Sequence, residues 1–361
     1  MTTIHTGNTI TTGFVVTADN TGDLVLKTGG SGGTTAATFD GTTQQATFNA
    51  PVSQPGAFMF RNKLINGNFD VWQRATSQTS SGYGSADRWR SLNVGSTKTA
   101  SQQAFALGQS DVPNNPKYFM RHVVSSVAGA GNYASMDQKI EGVETLAGKT
   151  ATVSFWAKAD ASKNIAVEIL QYFGDGGSPS GFVIADAQLV ALTTAWTKYT
   201  ITVSIPSVSG KTLGTTGNDD IRITFWFDAG SNNNARAASL GQQSGTFDIA
   251  QVQIEEGSAA TPFEQRPIGT ELSLCERYYQ NLGSLYPGHI NTGNTTAIRF
   301  VVPFSVLMRA SPTVTFSSVT SGFSASNIGG TGQAKRLNIE VTASARTDFR
   351  PRIDAVLDAE L

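Results

Sequence analysis

Cysteine is almost missing from this chain. Cys275 is the only one in 361 residues, which excludes an intrachain disulfide and any cysteine-based zinc site. Histidine is nearly as scarce, with His5, His122 and His289, so a histidine-centred active site has few candidates. Charge is thin too: Lys and Arg number 26 and Asp and Glu 27, or 15% of the chain, where a globular protein carries about 25%. With a formal net charge of −1, no global basic field exists to hold a nucleic acid backbone. Long apolar runs are absent, and stretches such as residues 300–308 are far too short to span a bilayer. Residues 1–13 are polar and lack the basic and apolar regions of a secretory signal. The expectation is a protein made in a cytoplasm that reaches any outside surface by another route. Glycine is abundant, at 37 residues against a typical share of about 7%. Hydrophobic residues reach 39%, enough for a core over most of the chain. This balance excludes disorder throughout, a coiled coil and a disulfide scaffold.

Residues 1–55 differ from the rest. The first fifty hold fifteen threonines, eight glycines and four charged residues. Short alternating pieces recur between Gly-rich turns: Gly13-Phe-Val-Val-Thr17, Asp23-Leu-Val-Leu-Lys27, Ala37-Thr-Phe-Asp40 and Ala46-Thr-Phe-Asn49. Thr, Val and Phe favour the pleat and Gly marks the turns, so these read as short strands. The segment has too few apolar residues for a core of its own. It is either a disordered arm or one that gains its core by pairing with copies or a partner, and the Val, Leu and Phe at each strand favour pairing. Residues 51–56 read as a linker between Pro51 and Pro55.

From 58 to 267 the pattern is β. Strand-like runs span residues 68–72, 118–124, 152–158, 164–173, 198–205, 221–227 and 247–254, parted by Gly, Asn, Ser and Asp clusters. Many short strands without a long helical period predict an antiparallel jelly-roll sandwich. One helix is predicted over 269–280, where Leu272, Cys275 and Tyr279 share a stripe, Pro267 precedes and Gly283 follows. Residues 281–361 return to strands. The fold class is therefore all-β, with an N-terminal arm (1–55), a central sandwich (58–267) and a short helix with a C-terminal β region (268–361).

Two strands alternate cleanly. In 152–158, Val153, Phe155 and Ala157 share one face and Ser154, Trp156 and Lys158 the other. In 221–228, Ile221, Ile223, Phe225 and Phe227 share one face and Arg222, Thr224, Trp226 and Asp228 the other. Each strand thus has a core face and a polar face bearing one tryptophan. A flat aromatic surface beside charged partners suits a sugar, so Trp156, Lys158, Arg222, Trp226 and Asp228 form a candidate glycan site if both strands lie on one sheet. The alternative is that these tryptophans pack under a loop or at a subunit interface. Trp72, Trp89 and Trp196 read as scaffold.

Enzyme signatures are poor, and no catalytic residues are expected. Gly29-Gly-Ser-Gly-Gly33 fits G-x-S-x-G only formally, since it lies in a Gly-rich arm rather than a strand-to-helix elbow. Gly148-Lys-Thr150 and Gly210-Lys-Thr212 lack the rest of a phosphate loop. Asp219-Asp220 and Glu255-Glu256 are paired acids of the kind glycoside hydrolysis uses, yet adjacent acids on a loop more often mark a solvated turn. His122 and His289 read as structural.

Several stretches together resemble a known group. They are Ile65-Asn-Gly-Asn-Phe-Asp-Val-Trp-Gln-Arg74, Ala86-Asp-Arg-Trp89, Val153-Ser-Phe-Trp-Ala-Lys-Ala159, Ala195-Trp-Thr-Lys-Tyr199, Phe247-Asp-Ile-Ala-Gln-Val-Gln-Ile-Glu-Glu-Gly257, Thr261-Pro-Phe-Glu-Gln-Arg-Pro267, Glu271-Leu-Ser-Leu-Cys-Glu-Arg-Tyr-Tyr279 and the ending Leu357-Asp-Ala-Glu-Leu361. From about residue 60 onward the chain resembles the tail fibre and receptor-binding proteins of tailed bacteriophages, whose middle domain is similar to carbohydrate-binding-module jelly rolls. The resemblance implies a virion protein, a homotrimer, attachment to a tail or baseplate through residues 1–55, and adsorption to a bacterial surface glycan or other receptor. It implies no membrane insertion and no nucleic acid partner. Related jelly rolls often carry a structural calcium, for which Asn66, Asn68, Asp70 and Asp248 are the candidate oxygen ligands; solvated polar residues at strand ends are the alternative. A purely structural tail decoration and a glycan-cleaving tailspike are the competing functions. A tailspike is expected to show a long repetitive β-helix, which the sequence lacks.

Overall fold

The computed structural model describes residues 15–18, 24–28, 34–39, 46–48, 60–285, 298–319, 323–327, 336–343 and 353–361. The expected linker at 51–56, the Gly29–Gly33 stretch, His5 and His289 lie outside them. The chain divides into two compact units, Met1–Met59 and Phe60–Leu361.

The first unit holds four short strands, β1 (Val15–Ala18), β2 (Leu24–Thr28), β3 (Thr34–Phe39) and β4 (Ala46–Phe48). They pair in sequence order as an antiparallel meander. The Thr, Val and Phe pieces thus form the strands their composition predicts.

In chain order the second unit continues with β5 (Ser77–Gln78), β6 (Arg90–Val94), β7 (Thr97–Ala104), β8 (Tyr118–Ser125), β9 (Tyr133–Glu141) and β10 (Thr150–Ala159). Then come β11 (Lys163–Tyr172), β12 (Val183–Leu192), β13 (Thr197–Ser204), β14 (Asp220–Ala229) and β15 (Gly245–Glu256). They build two antiparallel sheets, a six-stranded one in the order β13-β10-β15-β8-β7-β5 and a five-stranded one in the order β12-β11-β14-β9-β6. Apart from the β7–β8 and β11–β12 hairpins, each step along the chain switches sheet, which is the winding of a jelly roll.

Alternation explains the packing. Val153, Phe155 and Ala157 from one sheet and Ile221, Ile223, Phe225 and Phe227 from the other are all fully buried in one core. Phe225 meets Phe155 at 5.0 Å edge-on and Trp89 at 6.4 Å, and Trp89 meets Phe69 at 5.2 Å. Such offset and edge contacts add to burial. Trp89 is thus core, as expected, and Trp72 packs against it from the margin.

Two expected elements differ. Residues 68–72 form no strand. Asn66 and Phe69 sit at φ 56° and 56°, left-handed conformations that break a pleat. The helix is also shorter than its stripe, ending as α1 (Ile268–Glu276). Tyr279 instead opens β16 (Tyr279–Leu285), because antiparallel pairing with residues 353–358 claims it.

The chain finishes with β17 (Ile298–Pro303), β18 (Thr313–Val319), β19 (Phe323–Asn327), β20 (Arg336–Ala343) and β21 (Ile353–Asp358). They form two three-stranded sheets, β16-β21-β18 and β17-β20-β19. Met308, Leu337, Leu357 and Ala359 give this region a small core. Charge ties it to the sandwich. Buried Arg88 pairs with Glu360 and lies 3.5 Å from the Tyr278 ring. Arg74 reaches Glu360 at 3.1 Å and stacks on Tyr279, while Arg277 holds Glu141 at 2.8 Å.

Candidate functional site

The two tryptophan-bearing strands lie on different sheets. Trp156 and Lys158 stand on β10 of the six-stranded sheet, and Arg222, Trp226 and Asp228 on β14 of the five-stranded sheet. Both inner faces are core, so the two polar faces point away from each other and the five residues make no single site. Alternation within a strand fixes which face a residue takes, but not which sheet the strand joins.

The outer face of the six-stranded sheet is largely answered by the chain itself. Asp248 takes a bidentate pair from Arg121 (2.7 and 2.9 Å) and lies 3.8 Å from Lys158. Lys158 sits over the Trp196 ring, which packs with Phe105 and Phe119 at 5.2 Å each. The segment after β15 also lies against this face: Thr152 and Thr202 donate to the carbonyls of Gly257 and Ser258, Lys198 to Thr261, and the Glu264 amide donates to Gln253. Gln251 reaches the Pro113 carbonyl. Trp156 is left half-buried in this surround.

The outer face of the five-stranded sheet is built differently. Strand register sets its rows. One runs Arg90, Asp137, Thr224, Glu168 across β6, β9, β14 and β11. The next pairs Lys139 with Arg222, and the one beyond pairs Glu141, Asp220 and Tyr172. On the other side Ser135, Trp226 and Ala166 align. The floor is acid and the cover is arginine. Arg90 binds Asp137 (3.0 and 2.6 Å), Arg222 binds Asp220 (3.1 and 2.9 Å), and Arg236 binds Glu168 (2.7 and 3.0 Å). The carboxylates are buried, whereas the arginine side chains keep 21%, 14% and 33% of their surface exposed. Burial pushes the Asp220 carboxyl above its usual range against the pull of Arg222. Lys139 has a main-chain partner, the Leu361 oxygen at 2.7 Å. Burial and the neighbouring Arg222 and Arg90 lower it to about 8. The Thr224 hydroxyl is buried without a hydrogen-bond partner.

Aromatic groups stand at both ends of this face. Tyr172 lies under Arg222 at 5.5 Å. Trp226 donates its indole N–H to Glu168 (3.1 Å), meets Tyr133 at 5.4 Å, and is covered by Ala237 with Ala238 and Leu240. It packs under a loop, the alternative to a sugar platform. Arg236 spans Trp226 at 5.1 Å and the exposed Phe182 at 5.9 Å. Asp228 is fully buried past a β-bulge and accepts from Ser96, Ser126 and the Gln243 amide. That carboxylate closes loops and faces no ligand.

The four calcium candidates do not converge. The Asn66 side chain is spent on Val71 and the Asp87 carbonyl, donating to two main-chain oxygens and accepting from the Val71 amide. Asp248 is held by Arg121 on the sheet. Asn68 donates to Asp70 at 2.8 Å, and both line a cavity of about 130 Å³ with Glu264, Arg266 and Glu271. Among the described residues no three His, Cys, Asp or Glu side chains gather to hold a metal ion. The residues present do not fit the ion.

Of the paired acids, Glu256 is exposed and one member of each pair is not. Asp220 and Glu255 are buried and paired, with Arg222 and with Thr261 and Arg61. His122 is buried, touches Ser91 at 3.1 Å and stacks on Phe227. Sequence reasoning missed Arg90, Asp137, Lys139, Glu168 and Arg236. The polar residues at every second position of β9 (Ser135, Asp137, Lys139, Glu141) carried the signal.

No protein-family model matches this chain, and no curated protein matches it. Solved structures do. The structure named "CBM4 structure and function" is 20% identical over 53% of this chain and 98% of its own, with a TM-score of 0.31. The family 11 carbohydrate-binding module of a cellulosomal cellulase of Clostridium thermocellum is 12% identical over 52% and 98%, at 0.30. The enzymatically active domain of bacteriophage CBA120 tailspike protein 4 is 14% identical over 55% of this chain and 22% of its own, at 0.31.

Proposed function

We propose that this chain is a non-catalytic receptor-binding tail fibre of a bacteriophage, which binds a bacterial surface glycan on the outer face of its five-stranded sheet. The observation that carries the glycan reading is that face: three guanidiniums fixed by buried acids, with the Tyr172 ring beside Arg222 at one end and the exposed Phe182 ring beside Arg236 at the other. Fixed donors beside flat apolar surface orient a sugar without loss of side-chain freedom on binding. The tail-fibre reading rests on the sequence resemblance from residue 60 onward. In it, three chains associate, residues 1–55 join the tail or baseplate, and the protein belongs to the virion. Weak single sites gain avidity when three act together.

The test is binding of the full chain to an array of bacterial polysaccharides and to whole cells, with its mass in solution measured by light scattering. At least one glycan binds, the mass is that of a trimer, and Arg236→Ala with Phe182→Ala weakens binding about tenfold (~1.4 kcal/mol). Lys158→Ala, on the opposite sheet, leaves binding unchanged. Binding to no glycan and no cell overturns the receptor role and favours a structural decoration. Release of reducing sugar from a bound polysaccharide overturns the non-catalytic reading.

A further inference from the structure

The three arginines of the candidate face are all held by the same edge. Arg90, Arg222 and Arg236 each give Nε and Nη2 to their carboxylate. Nη1 takes no part in any of the three pairs, and none makes a hydrogen bond among the described residues. A guanidinium has five N–H donors in a rigid plane, so each arginine is anchored on one side and offers two N–H groups on the other. The acceptors of the same face, Asp137, Asp220 and Glu168, are consumed beneath. Lys139 adds a buried ammonium between Arg90 and Arg222, held by the Leu361 oxygen, and burial together with those like charges lowers its proton affinity. With Glu141 and its partner Arg277 in the next row, five cations stand against four acid side chains. The outward inventory is therefore N–H donors, above a buried Thr224 hydroxyl that has no partner.

A neutral sugar offers hydroxyls that both donate and accept, and this face has few acceptors left for their protons. We infer that it takes an acidic polysaccharide whose charge is carried by carboxylates, with Nη1 of Arg90 and Arg222 meeting the carboxylates and the buried Lys139 ammonium adding its charge beneath them. Charge-assisted bonds of this kind are about twice as strong as neutral ones. Arg222 and Trp226 lie four residues apart on β14, about 13 Å at the rise of a strand, so the row spans more than one sugar unit. The inference rests on the glycan-binding reading and adds the class of glycan.

Its test uses alginate, polygalacturonate, hyaluronan and polysialic acid, each beside its carboxyl-reduced polymer, with a teichoic acid as the phosphate arm. The expected result is binding of at least one carboxylated polymer, weakened at least tenfold by carboxyl reduction and by raising NaCl from about 50 to about 500 mM, since the arginines reach solvent. Asp220→Asn/Arg222→Gln removes one anchored cation at constant net charge and lowers that affinity about tenfold. Glu168→Gln/Arg236→Gln serves the same purpose if the first pair fails to fold. Equal binding of a reduced polymer, or binding of the teichoic acid alone, overturns the carboxylate assignment and leaves glycan binding standing. Binding to neither these polymers nor the array overturns both.

Discussion

His122 shows what burial does to a single residue. Its ring is fully buried between β8 and the Phe227 ring, one nitrogen faces Ser91, and Nδ1 has no partner. Burial, with Lys98 nearby, pushes its pKa down from 6.5 to about 3. The folded chain therefore keeps the ring neutral where the unfolded chain protonates it. Its contribution is intact above about pH 6.5 and is lost as pH falls toward 3. At pH 5 the gap of about 1.5 units costs about 2 kcal/mol. Half-buried Asp70 and buried Asp87, Asp220 and Glu271 have values raised by burial and pull the other way. The comparison is thus His122→Gln against the parent, by urea unfolding at pH 5 and pH 7.5. The difference between the two proteins narrows at pH 5, and an unchanged difference refutes the assignment.

At the scale of elements, the segment before β5 is the case where local sequence and tertiary contacts disagree. Residues 68–72 alternate like a strand, yet Asn66 folds the chain back on itself. Its side chain makes three main-chain hydrogen bonds, and its backbone is left-handed. Asn66→Ala leaves the buried Asp87 carbonyl and the Val71 amide unanswered, while the Val71 carbonyl keeps the Asp87 N–H, and it puts a Cβ without polar compensation at φ 56°. The expected loss is about 3 kcal/mol, read as a lower urea midpoint with unchanged slope. β10 and β14 behave as their alternation predicts. β9 escaped notice because its inward residues include Gln138, which pairs with the Ile65 main chain, so its apolar face is interrupted. Its outward Asp137, Lys139 and Glu141 all belong to the candidate face.

Over the whole molecule, the last residues join the C-terminal sheets to the sandwich. Glu360 neutralises Arg88, whose side chain is 1% exposed, and also receives Arg74. Arg309 donates to the Ala359 and Glu360 carbonyls. Glu360→Gln leaves a buried guanidinium without its countercharge, which costs about 3–5 kcal/mol. The expected readouts are a lower Tm and release of the region after residue 277 by limited proteolysis. An unchanged Tm shows that Tyr278 and solvent suffice for Arg88.

The residue pattern alone determined an all-β chain, the inward faces of β10 and β14, a short helix after Pro267 and the exclusion of an intrachain disulfide. These are local properties: period two, turn residues and simple counts need no knowledge of distant neighbours. Tertiary structure alone decided that Trp156 and Trp226 stand on opposite sheets, that Asp248 meets Arg121 rather than Asn66, and that Arg90, Lys139, Arg222 and Arg236 share one surface. Each depends on which strands pair across 50 to 150 residues of chain, a choice made by the fit of two core faces and the sheet-switching path between them. The outer residues are carried along by that choice, and their own chemistry did not make it.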